Sequence, residues 1–310
     1  MARIDPLFHT FSIVARDPQT GELGVAVQSH WFSVGSVVAW AEAGVGAIAT
    51  QAMSEISYGP LGLDLMRAGK TSKQALAALL AADKGRQRRQ VAMVDASGRV
   101  AVHSGARCIA EAGHIAGDGF SVQANMMLNA TVWPAMVKTY RNSTGDLAER
   151  MLASLQAGQD AGGDIRGRQS ACIFIVKAVS SGRPWQDTIM NLRVEDHPEP
   201  IQELRRLVKT QQAYQLMNLG DEHLGNGLVS EALQAYQGAA ELVPEIDELP
   251  FWQAVTLAEL DRLDEALPIF QRVFAANPNW ALLVQRLPAA GLLRDDPQLM
   301  NKILSADRPA

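Results

Sequence analysis

Cysteine is scarce: the 310-residue chain has only Cys108 and Cys172. Neither belongs to a Cys-x-x-Cys or a Cys/His spacing, which excludes a disulfide scaffold and leaves no thiolate zinc site. Long apolar runs are also missing. No stretch approaches the ~20 residues that span a bilayer, and the opening "MARIDPLFH" lacks the apolar core of a secretion signal. No membrane partner and a cytoplasmic address are therefore expected. Basic charge is in deficit, with 28 Lys and Arg against 33 Asp and Glu, a formal net charge of −5. Neutralising phosphates needs a clustered excess of cations, so no nucleic-acid partner is expected. The single basic run, "KGRQRR" at Lys84 to Arg89, reads as a solvated loop. His103, His114 and His197 show no ligand spacing with nearby carboxylates. "AGVGAI" leads into a strand, whereas a phosphate-binding glycine loop leads into a helix. No metal and no cofactor is expected.

What is present is an ordinary globular composition, 47% hydrophobic and 20% charged, in a chain long enough for two domains. The hydrophobic period changes near residue 200. Before it, the strand-like runs "TFSIVAR", "LGVAVQS" and "VGAIAT" precede helical patterns from about Tyr58 to Ala82. The order then repeats: "QVAMVD", "RVAVHS" and "GFSVQANMM" as strands, a helical stretch from about Val132 to Ala157, and "SACIFIVKA" and "DTIMNLRV" as closing strands. Adjacent hairpins with helices in two separate blocks imply an α+β fold of antiparallel sheets covered by helical layers. The segment 1–9 stands apart, 10–196 forms the first domain, and 197–208, with Pro198 and Pro200, reads as a linker running into helix.

Residues 209–310 are helical and self-similar. "SEALQAYQGAAELVP" and "DEALPIFQRVFAANP" carry Ala232, Leu233 and Tyr236 again as Ala266, Leu267 and Phe270, an interval of 34 residues. That is the period of a tetratricopeptide repeat, with Leu219 and Gly220 where the two helices of a repeat approach. Each repeat buries its face on a neighbour, so docking, self-association or a protein partner through this tail is expected.

In the first hairpin, a turn centred on "PQTG" pairs residues whose numbers sum to about 39, which sets Thr10 opposite Ser29 with Gln28 and His30 beside it. A threonine hydroxyl becomes a nucleophile when a base takes its proton. A free α-amine on the same residue can be that base, because its pKa of about 7.7–8.0 lies near neutrality. Nine residues precede Thr10, so this chemistry demands cleavage between His9 and Thr10. In an uncut chain His9 or His30 would have to serve Thr10 or Ser12 instead.

"TFSIVARDPQTGELGVAVQS", "AGVGAIATQA", "YGPLGLDLMRAG", "RQVAMVDASGRV" and "GGDIRGRQSA" together resemble an uncharacterised bacterial family, domain of unknown function 1028, whose fold is similar to that of the N-terminal-nucleophile (Ntn) hydrolases. The resemblance covers about residues 9 to 208. It implies a four-layer αββα sandwich with amide hydrolysis as the ancestral chemistry. Members beginning Met-Thr-Phe-Ser would expose the matching threonine when Met is removed; "MARIDPLFH" departs from that pattern.

The candidate site therefore has Thr10, Ser29 and Gln28 as catalytic residues. His30, Thr50, Gln51 and Asn125 at strand ends, with Asp164, Arg166, Arg168 and Gln169 of "GGDIRGRQS", are the candidate substrate-binding groups. Arg clamps a carboxylate bidentately, and Asp holds an ammonium or orients the Arg; an internal Asp–Arg pair that fixes the loop is the structural alternative. Two functions are expected to compete. One is an amidohydrolase acting on a small amide, ureido or peptide-like substrate through Thr10. The other is an uncleaved, silent domain that binds a ligand or a protein.

Overall fold

The structure is a computed structural model describing residues 10–306 and the main chain of residues 7–8. Eleven strands are described: β1 Leu7–Phe8, β2 Thr10–Arg16, β3 Leu23–Ser29, β4 Ala39–Glu42, β5 Gly46–Met53, β6 Arg89–Asp95, β7 Val100–Ser104, β8 Gly113–Gly117, β9 Phe120–Ala124, β10 Ser170–Val176 and β11 Thr188–Val194. Among them run the helices α1 Gly35–Val38, α2 Tyr58–Arg67, α3 Ser72–Ala82, α4 Val132–Asn142, α5 Leu147–Asp160 and α6 Pro184–Asp187. Then come α7 Pro200–Gly225, α8 Val229–Leu242, α9 Glu248–Glu259, α10 Leu263–Ala276, α11 Asn279–Val284 and α12 Pro297–Ser305. The chain divides into two compact units, Met1–Val208 and Lys209–Ala310. No helix among the described residues is long and apolar enough to cross a membrane.

The first unit mixes α and β with two antiparallel sheets. One has the order β1-β5-β6-β7, with β4 also on β5; the other has the order β11-β10-β3-β2-β9-β8. The β2–β3 turn is fixed by chemistry: Asp17 Oδ1 accepts from the amides of Gln19 and Thr20 at 2.8 and 2.9 Å. Gly21 supplies the left-handed φ of 77° that closes it. Thr10 consequently faces Ser29, and the register continues to Arg16 opposite Leu23.

Alternation along these strands sorts their side chains into distinct cores. Phe11, Ile13 and Ala15 of β2 pack with Met136 and Val137 of α4 and Met151 and Leu155 of α5. Val14 joins Val25 and Val27, and these meet Ala47, Ala49, Ala92 and Val94 of the other sheet. Ile48, Val91 and Met93 turn instead to Tyr58 and Leu63 of α2 and to Leu76 of α3. The segment read as a linker, 197–208, is largely the first turns of the 26-residue α7. Its Ile201, Leu204 and Val208 are spaced to share one helical face, and they are buried in the α4/α5 core.

The second unit is wholly helical. Phe251, Phe270, Phe274 and Val284 fill its larger core, where the rings of Phe251 and Trp280 lie 4.6 Å apart and those of Phe270 and Phe274 5.4 Å apart. Ala213, Ala239, Val243 and Leu249 make a smaller one.

Candidate functional site

Where β2 begins, the face that carries Val14 further along carries Thr10 and Ser12. Both are fully buried. The Thr10 hydroxyl donates to Ser29 Oγ at 3.2 Å. The Thr10 carbonyl accepts from the Asn125 amide at 3.1 Å, from Asn125 Nδ2 at 3.4 Å and from Gln51 Nε2 at 3.1 Å. These donors come from the two sheets, Asn125 just after β9 and Gln51 within β5, so they fix the first residue of β2 from both sides.

Behind them lies a continuous polar network. Ser121 Oγ donates to Gln123 Oε1, and Gln123 Nε2 to Ser12 Oγ at 2.6 Å. Ser12 Oγ donates to Gln51 Oε1 at 2.6 Å, and Gln51 Nε2 to Gln90 Oε1 at 2.7 Å. Asn125 Nδ2 also donates to Gln90 Oε1, at 3.0 Å. Gln90 Nε2 in turn reaches Ser104 Oγ at 2.7 Å and the Ala124 carbonyl at 2.9 Å, and Ser104 Oγ lies 2.9 Å from His114 Nδ1. Burying so many amides in a sheet interior is tolerated because each one is paired. Gln90 and Gln123 were not singled out from sequence, although a glutamine inside "RQVAMVD" or "SVQA" breaks an otherwise small or apolar strand face.

The remaining candidate residues divide. His30, Asp164, Arg166, Arg168 and Gln169 gather at the end of β3, beside Ser29. The Asp164 carboxylate, without exposure, accepts from the His30 amide at 3.2 Å and pairs with Arg166 Nη2 at 2.7 Å. The Gln169 amide donates to the Ser29 carbonyl at 3.1 Å. Arg168 pairs with Glu199, and His30 Nδ1 approaches the Arg168 carbonyl at 3.4 Å. Asp164 and Arg166 thus form the internal pair that fixes the loop.

Gln28 and Thr50 do not join Thr10, because strand alternation turns each to the opposite face of its sheet. Gln28 pairs with Phe11 and Ala171 on the α4/α5 side. Thr50 shares the α2-facing side with Ile48, and its hydroxyl donates to the Glu55 carbonyl ahead of that helix at 3.2 Å. His9, its bond to Thr10 and residues 1–6 lie outside the described residues.

Two further groups bear on the chemistry. Burial pushes the Cys172 thiol up to about 12, so it is protonated at neutral pH and no nucleophile. Partial burial, together with the neighbouring His103, lowers the His114 pKa below its ordinary value and favours the neutral ring. Backbone strain also concentrates here. Of the non-glycine residues with positive φ among those described, Ser33, Ala52 and Met126 follow closely on Ser29–His30, Gln51 and Asn125, with φ of 56°, 70° and 59°.

The model of a family of unknown function, DUF1028, matches residues 10–204. The chain belongs to this family. A crystal structure of a DUF1028 protein from Silicibacter pomeroyi is 30% identical, with a TM-score of 0.59 over 65% of this chain and 85% of that one. No curated protein matches the chain. Every residue of the polar network falls within the DUF1028 match, which opens at Thr10 itself, whereas the helical unit from residue 209 lies beyond it.

Proposed function

We propose that the DUF1028 region is an Ntn-type amidohydrolase with Thr10 as nucleophile, acting on a small amide, ureido or peptide-like substrate. The observation that carries this reading is the three-donor grip on the Thr10 carbonyl, which fixes the residue that would become the chain's first. Gln51 and Asn125 direct their donors to Thr10 itself and to Gln90, so they are positioning groups in this scheme. In the activating step Thr10 Oγ attacks the His9 carbonyl carbon. The C–N bond breaks, its nitrogen takes the hydroxyl proton, and the resulting ester is hydrolysed by water. Residues 1–9 leave with a new carboxylate, and Thr10 keeps a free amine. That amine then removes the Oγ proton as Oγ attacks a substrate amide. The leaving amine is protonated, and water releases the acyl group from Thr10.

The layering in this proposal is αββα, supported by the sorting of side chains into one core between the sheets and one beneath each helical pair. The second unit is proposed to be tetratricopeptide-like. Tyr236 and Phe270, 34 positions apart, are both buried, and Gly220 permits an approach that a Cβ would block, 2.5 Å from the Tyr236 ring.

A second reading has its own observation. Thr10 is wholly buried in the intact chain, which suits an uncleaved binding scaffold. Intact mass spectrometry of the purified protein decides between them. A chain starting at Thr10 is expected, with Thr10→Ala remaining full length and losing amide hydrolysis while Ser12→Ala retains it. A full-length mass on protein that hydrolyses amides would sink the free-amine mechanism.

A further inference from the structure

Phe8 and Thr10 belong to different sheets. Phe8 is paired with Ala52 and Leu7 with Met53, antiparallel, in the sheet of β5; Thr10 opens β2 in the other sheet. On β5, β6 occupies one edge from Gly46 through Ala52, and β4 occupies the opposite edge only from Gly46 to Ala49. Two residues of main chain, Leu7–Phe8, therefore occupy the edge of β5 at Ala52–Met53, beyond the end of β4. They do so one residue ahead of the bond that the proposed mechanism breaks.

The receiving edge is built. Ala52 is buried in the left-handed region at φ 70°, a conformation that L-residues adopt only against a steric penalty. The next residue, Met53, has its carbonyl held at 2.6 Å by Nη1 of Arg89. Arg89 is itself buried and anchored by Nε to Asp83 at 2.8 Å. The residue on the other side of Ala52 is Gln51, whose amide holds the Thr10 carbonyl at 3.1 Å. One strand thus fixes the threonine and, one residue further along, pairs the chain that leads to it.

We infer that this edge of β5, at Ala52–Met53, binds the acyl half of an extended peptide substrate by antiparallel strand addition, and that residues 7–8 hold it in the intact chain as a substrate does. An extended main chain supplies the hydrogen bonds of such a mode, with side-chain pockets adding selectivity. The substrate class is a peptide whose segment before the scissile amide is extended. The assignment to the acyl half rests on Thr10 being the nucleophile; the strand pairing does not.

The test uses the full chain carrying Thr10→Ala, so that nothing is cleaved, with and without Leu7→Pro and Phe8→Pro, which remove the amides that β1 offers. The probe is a synthetic peptide of residues 1–9 with an amidated C-terminus. It is expected to bind the proline variant saturably and the T10A chain at least about tenfold more weakly. It should also protect from hydrogen exchange the one main-chain amide of Ala52–Met53 that faces this edge, since adjacent pairs of an antiparallel ladder alternate between bonded and unbonded. N-methylation of the peptide at its residues 7 and 8 should weaken binding roughly tenfold or more, the scale of one main-chain hydrogen bond left unmade. Binding indifferent to N-methylation, or none to a proline variant that retains its melting transition, would overturn the inference. If the proline variant does not fold, Leu7→Gly with Phe8→Gly takes its place; if that unfolds too, β1 is an obligatory strand and the inference fails. Failure of His9–Thr10 cleavage in the unmutated chain would instead sink the nucleophile reading and leave the peptide result standing.

Discussion

The two units bury different things. Among the described residues, every buried polar or charged residue, from Thr10 to Asp187, belongs to the first unit, while the buried core of the second is aliphatic and aromatic. A helical unit needs only to hide its apolar faces. A domain that keeps Thr10, Ser12, Gln51, Gln90, Gln123 and Asn125 between its sheets accepts a desolvation cost that neutral packing would avoid. That asymmetry is why the proposed chemistry is sought in the first unit alone.

Equal-looking core substitutions in the two units should therefore act by different physics. The largest stability effect is expected for Phe270→Ala in the second unit, where loss of ring volume among Phe251, Phe274 and Val273 should cost about 3–5 kcal/mol in calorimetric or urea unfolding. Phe270→Leu should recover most of it, since shape and apolarity suffice there. Gln90→Leu comes next, at about 3 kcal/mol, because it keeps volume but strips partners from Gln51 Nε2, Asn125 Nδ2 and Ser104 Oγ. An apolar replacement that left stability unchanged would mean that the network is not the tightly paired one described.

What the sequence revealed follows the same division between local and distant causes. The pairing of Thr10 with Ser29 was legible because Asp17, Gly21 and two alternating strands lie within twenty residues, and turn chemistry sets register. The 34-residue recurrence linked Tyr236 to Phe270, and both are buried. What failed was orientation: Gln28 and Thr50 sit one residue from Ser29 and Gln51, and a period of two turns them to the far faces. The partners of Gln51 were hidden too, since Gln90 lies 39 residues away and Gln123 meets Ser12 across 111. Two-residue β1 is too short to show any period at all, though the proposed mode of substrate binding rests on it.

Ala52 tests whether strain at the site is maintained against stability. Ala52→Gly removes the Cβ that opposes φ 70°, and it should raise stability by up to about 1 kcal/mol despite the added freedom of the unfolded chain. Thermal unfolding beside Ala49→Gly, at an extended position that should lose stability, isolates the conformational effect.

The smallest effect concerns the outer end of the network. His114 has its folded-state pKa lowered from an ordinary 6.5, through partial burial and then through His103. Well above 6.5 the ring is neutral folded and unfolded, and contributes no slope. As pH falls through that value, the unfolded chain takes up a proton that the folded chain resists, so stability is lost below it until the folded pKa is passed. The ring remains partly exposed and its charge is screened, which keeps the loss small. Stability measured between pH 7.5 and 5.5 should therefore fall slightly more in the unmutated chain than in His114→Gln, and high salt should narrow the gap by weakening the contribution from His103. An identical slope in both chains would place the ring outside the network. A steeper fall in the variant would reverse the sign of the linkage and mean that the fold favours the protonated ring.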